Sequence, residues 1–204
     1  MTAAGETQQR RQRADARRNI EAILDAALAC LSRDPDASVG DIARTAGVGR
    51  VTLYGHFPTR AELVDAVFAR TLAEANEALN TVDLTGDPRA ALARLVASSW
   101  QIVNRHRALL QAAQRTIGPD RIREQHEIPH QRVQALIKRG RREGMFRTDL
   151  PTTWLVATFH NVLHGAADEI AAGRLDERAA GRAIVATLLA AFTAPGQLVQ
   201  QVPS

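Results

Sequence analysis

Twenty residues, Ser38 to Phe57 (SVGDIARTAGVGRVTLYGHF), constrain the fold more tightly than any other stretch. Ser38 and Asp41 stand in the S-x-x-D spacing of a capping box, which satisfies free N–H groups at a helix start. Val39, Ile42, Ala43 and Ala46 follow on one face of a 3.6-residue repeat. Gly47 comes directly after the last of them, where a left-handed turn is cheap only for glycine. Val48 returns to the core, and a second helix is expected from about Gly49 to Tyr54 with Leu53 facing inward. Ala43 suits a steep helix crossing that leaves room for a methyl group. Two short helices joined by such a turn form a helix-turn-helix, whose second helix lies in the DNA major groove.

The flanks extend the helical reading. Ile20, Ile23, Leu24, Ala27, Leu28 and Leu31 recur at three and four between Arg17 and Leu31. Thr59 and Glu62 make a second capping box after Pro58, opening a long helix that carries Leu63, Val67, Phe68, Leu72, Ala75 and Leu79. Gly86-Asp87-Pro88 is a stop and restart with Asp as N-cap and Pro in the first helical turn. Ile117-Gly118-Pro119 breaks the pattern again, and the next helical stretch, from Arg121, is interrupted near Pro129. Asp149-Leu150-Pro151 and Asp176 open the last two helices, which run to about Ala172 and Ala194. No alternation of Val, Ile and Thr persists anywhere, so 204 residues rich in Ala and Leu imply an all-α protein.

Composition removes other classes. The single cysteine, Cys30, rules out an intrachain disulfide or a cysteine metal cluster and suits a small buried hydrophobe. No uncharged apolar run is long enough to span a bilayer, and the N-terminus is polar and arginine-rich, so the expected location is the cytoplasm. The net charge of +4 favours nucleic acid only weakly.

Val51-Thr52-Leu53-Tyr54-Gly55-His56-Phe57-Pro58-Thr59-Arg60-Ala61-Glu62-Leu63 resembles the recognition-helix signature of the TetR (tetracycline repressor) family. Ser38, Asp41, Ile42, Ala43, Ala46, Gly47 and Val48 agree with it upstream. Arg60 replaces the usual Lys with its charge kept. Gly49 stands where a Ser cap is common, and Gly55 where a larger residue is. The resemblance implies a homodimeric regulator, most often a repressor, that binds a palindromic operator in double-stranded DNA and leaves it when a small molecule binds. It also implies no enzymatic activity and no cofactor. The expected organisation is a flexible basic arm at 1–16 with Arg10, Arg11 and Arg13, a DNA-binding head at 17–62, a helical ligand-binding and dimerisation domain at 63–194, and a tail at 195–204.

Within the head, Arg50, Val51 and Thr52 are expected to meet base edges. Arginine can bind guanine bidentately, and the methyl groups can contact thymine. Ser38, Tyr54, His56 and Arg60 are better suited to phosphates, which fix register without reading sequence. Phe68, Trp100, Val103, Asn104, Leu110, Val133, Phe159 and His160 are the expected pocket walls. Few acids stand among them, which suits a largely apolar effector. Leu155, Phe159, Leu163, Ala167, Ile184, Leu188 and Phe192 lie on apolar faces more extensive than a monomer requires, and are expected at a two-fold helical interface.

Two histidine pairs bear on metals. His126-Glu127-Ile128-Pro129-His130 spells the H-E-x-x-H of zinc hydrolases, whose chemistry needs both imidazoles on one unbroken helix. Pro129 lies between them and opposes that geometry. His160 and His164 also share a helix face, where packing at a pocket wall or an interface is the simpler reading. No metal is expected at either pair, but a zinc-dependent hydrolase using His126, Glu127 and His130 stands as the alternative function, and lining a ligand pocket is the other reading of that segment.

Overall fold

The computed structural model describes residues 3–196. Ten α-helices account for almost all its regular structure: α1 Ala3–Arg33, α2 Val39–Thr45, α3 Arg50–His56, α4 Arg60–Asn80, α5 Pro88–Arg105, α6 Arg107–Thr116, α7 Pro119–Gln125, α8 Glu127–Arg142, α9 Thr152–Ala171 and α10 Glu177–Phe192. Among the described residues the sole β pairing is an isolated bridge between Phe146 and Thr193. None of the described helices is long and apolar enough to cross a membrane.

The expected starts and stops are realised by hydrogen bonds. Asp87 caps α5 by accepting from the N–H of Arg89 at 2.8 Å and of Ala90 at 3.0 Å, with Pro88 in the first turn. Thr59 Oγ1 accepts from Glu62 N–H at 3.1 Å. Gly47 takes φ +68°, the left-handed value that ends α2.

The chain forms two compact units. The first runs from the start of α1 through Thr71 and includes Ala108–Ile122. Its core joins Ile23, Ala27 and Leu31 of α1 to Ile42, Leu53, Leu63 and Val67. The second comprises Leu72–Arg107 and the chain from Arg123 onward. In it α5, α8, α9 and α10 pack around Leu92, Leu95, Ile137, Phe146, Leu155, Phe159, Leu188 and Phe192. Gly140 lets the buried Phe146 ring lie directly on the α8 backbone, because a Cβ there would overlap the ring.

Three expectations change. Helix α1 begins at Ala3, so residues 3–16 continue the helix rather than form a separate arm. The polar, arginine-rich composition is compatible with a solvated helix: Arg10 and Arg13 are exposed, while the Arg11 side chain and residues 197–204 of the tail lie outside the described residues. The division at 62/63 also gives way, because Leu109, Ala112, Ala113 and Ile117 bury their apolar faces in the core of the first unit. Lastly, the seven residues expected at a dimer interface are all within 2% of full burial inside the single chain. Periodicity marks a buried face but not the partner that buries it.

Candidate nucleic-acid interface and effector pocket

The geometry of α2 and α3 follows from a few side chains. Ser38 has extended backbone angles as the N-cap of α2, and its Oγ accepts from Asp41 N–H at 3.1 Å. The Asp41 carboxylate does not reach back to the cap backbone. Instead it accepts from the Ser38 hydroxyl at 2.6 Å and from Arg44 at 2.8 Å. These partners hold its pKa below the usual carboxylate range, the Ser38 bond first and Arg44 second. Helix α3 starts at Gly49 without a side-chain cap, which forgoes roughly 1 kcal/mol. Leu53, fully buried, and Phe57 anchor it instead.

With Leu53 inward, the opposite face of α3 is presented outward. Val51 is 88% exposed and Tyr54 46% exposed, and Thr52 lies beside them in solvent. His56 is half-buried at the helix end. Arg50 lies across α2: a Cβ built on Gly40 would stand 2.5 Å from its guanidinium Nη2. Ser38, Arg50, Tyr54 and Arg60 together line a shallow concavity with Asp36, Val39 and Gly40. Arg60 has a second task. It donates to the carbonyl of Pro35 at 2.9 Å and to that of Ala37, clamping the loop that leads into α2. Gly40 escaped the sequence reading, although a glycine in the first turn of a seven-residue helix, where it costs propensity, is a usable signal for close approach.

The second unit holds a pocket of its own, enclosing about 60 Å³. Of the eight residues expected as pocket walls, Val103, Val133, Phe159 and His160 line this cavity. The other four expected residues do not. Phe68 belongs to the core of the first unit, and Leu110 packs against that core. Trp100 is buried in the second core, and Asn104 donates to Glu177 at 2.6 Å. Apolar side chains suit a core and a pocket equally well, so sequence could not separate them.

Leu72, Asn76 and Arg132 also line the pocket and were missed at the sequence level, whereas His126 and His164, singled out there as histidines that suit a pocket wall, join them. The two histidine pairs converge here. The ring of His126 lies 6.1 Å from that of His130, 6.2 Å from His160 and 5.9 Å from His164, and His130 and His160 are 4.4 Å apart. Burial, reinforced by the neighbouring imidazoles, pushes His160 down to about 2 and His164 to about 4. Both rings are therefore neutral at physiological pH. Nε2 of His160 is buried without a hydrogen-bond partner. His126 is the N-cap of α8 and Pro129 sits in its first turn, so H-E-x-x-H does not lie on one unbroken helix. Among the described residues no three His, Cys, Asp or Glu side chains converge on a point as a metal site requires.

A capped first helix, a glycine turn and an outward-facing second helix define a helix-turn-helix head on an all-α chain. Residues 23–67 match the family model of bacterial regulatory proteins of the tetR family, so the head is similar to that family. Over 86 residues the chain is 43% identical to the HTH-type transcriptional repressor LfrR of Mycolicibacterium smegmatis, a match covering 42% of this chain and 46% of that one. The matched stretch thus spans about half the length of that relative. The crystal structure of LfrR from Mycobacterium smegmatis in complex with proflavine superposes with a TM-score of 0.65 at 26% identity, covering 86% of this chain and 96% of that one. The regulator FadR from Bacillus subtilis, in complex with stearoyl-CoA, shares the fold with a TM-score of 0.70 at 15% identity, over 84% and 98% of the two chains.

Proposed function

We propose that this chain is a sequence-specific DNA-binding transcriptional regulator, acting as a homodimeric repressor that a small molecule releases from its operator. The observation that carries this reading is the outward face of α3. Val51, Thr52 and Tyr54 are exposed on a helix whose only fully buried side chain is Leu53. An apolar Val 88% exposed gains nothing from solvent, but its methyl groups suit the thymine methyl in a major groove. Arg50 supplies a guanidinium for guanine, and Ser38, Tyr54, His56 and Arg60 flank it as phosphate contacts. The match to the repressor LfrR over the head supports the same reading.

The pocket supports the effector half of the proposal. Its wall includes Leu72, Ala75, Asn76 and Leu79 from the C-terminal half of α4, the helix whose N-terminus follows the recognition helix. A ligand that binds one conformational state better than the other lowers DNA affinity by that differential. Two heads per dimer then read both halves of a palindrome, one helical turn or a multiple apart.

Selection of bound duplexes from a randomised library by the purified chain tests the reading. Enrichment of one inverted repeat is the expected result. No enrichment over the starting pool would overturn it.

A further inference from the structure

The polar wall of the second unit's pocket is entirely basic or neutral. His126, His160 and His164 line it together with Arg132 and Asn76, and no Asp or Glu does. Arg132 is half-buried, and its hydrogen bonds among the described residues go to neutral oxygens: the Asn76 carbonyl at 3.2 Å, Asn76 Oδ1 at 3.3 Å and Asn80 Oδ1 at 2.6 Å. A guanidinium carries five N–H donors in a planar fork that matches a carboxylate, so donors remain for an anion. A partly desolvated cation with no carboxylate against it costs free energy that an anionic ligand would recover. His160, in the same lining, adds a buried Nε2 without a hydrogen-bond partner. The rest of the lining is mainly aliphatic and aromatic, and the enclosed volume of about 60 Å³ is well below the ~150 Å³ of a cavity that takes benzene.

From this arrangement we infer that the pocket takes a compact organic acid, one carboxylate on a short apolar body, with Arg132 and the histidine wall facing the acid group. The inference deepens the proposed effector role by naming the ligand class. Cationic ligands are disfavoured by the Arg132 guanidinium, and neutral ones of equal size leave it unmatched.

The test uses the full-length chain without DNA, so that it stands apart from operator binding. Formate, acetate and propionate are titrated by calorimetry beside the alcohol and the primary amine of the same chain length. The expected result is a preference of at least tenfold for the acid over its alcohol, no heat from the amine, and loss of most of the preference in Arg132→Gln. Equal binding of acid and alcohol would overturn the inference, as would absence of acid binding at millimolar concentrations. Tight binding of zinc chloride that blocks the acids and disappears in His160→Ala would also overturn it, assigning the cluster to a metal. Acid binding that leaves DNA affinity unchanged would uphold the inference while removing the effector role.

Discussion

At the scale of single residues, Gly40 gives the clearest separation of stability from function. Glycine inside a helix costs roughly 1 kcal/mol relative to alanine. Here the space above it holds the flexible end of Arg50, with no backbone against it. Gly40→Ala is therefore expected to leave thermal stability unchanged or raise it by up to about 1 kcal/mol, while displacing the Arg50 guanidinium and weakening DNA binding. Melting curves and fluorescence anisotropy on the same sample check both halves. The histidine wall makes a second residue-level prediction. His160 and His164 have folded pKa values of about 2 and about 4, below the unfolded value near 6.5. The unfolded chain therefore binds more protons between pH 6.5 and 4, and stability falls as pH drops through that window. The loss is expected to be roughly 2 kcal/mol per histidine between pH 7 and 5. Urea titrations at the two pH values should show it, with a flatter dependence in His164→Gln.

Among the elements, α9 and α10 separate core from surface. Leu188 is fully buried, and Leu188→Ala is expected to cost about 2–5 kcal/mol in chemical denaturation. Ala186, Ala183 and Ala190 lie on the exposed side of α10. If that side carries the proposed dimer contact, Ala186→Arg should shift the chain to monomer in analytical ultracentrifugation without lowering its melting temperature. Gly140→Ala on α8 would force the buried Phe146 ring aside and is expected to destabilise by roughly 1–3 kcal/mol. Helix existence was readable from the sequence because capping residues and 3.6-residue spacing are local. Asp87-Pro88, Thr59 with Glu62, and Gly47 all acted where their chemistry placed them. The partner of each apolar face was not readable. Leu155 and Leu188 show the same pattern whether they face their own chain or a second copy, and Phe68 or Leu110 whether they line a core or a pocket. The pairs His126/His130 and His160/His164 were visible separately, but their meeting depends on α8 packing against α9, some thirty residues apart in sequence.

For the whole molecule, the head was the most legible part, since its motif compresses fold and contact surface into one contiguous stretch. The unit boundaries were less so, because α6 joins the first unit across an intervening segment. The DNA-binding reading implies a strong salt dependence, since each phosphate neutralised by a basic side chain releases counterions and adds about 0.9 to the slope of log K against log salt. The most direct measurement is anisotropy of the purified chain on the duplex flanking its own gene and on a scrambled duplex, across a salt series, with Val51→Glu and Thr52→Ala alongside. The expected result is binding at least 10³-fold tighter to the native duplex, falling with salt on both. Val51→Glu should abolish the difference, and Thr52→Ala should reduce it by roughly 1 kcal/mol or more. Equal affinity for both duplexes, unmoved by either substitution, would contradict the assignment of α3 as the element that reads DNA.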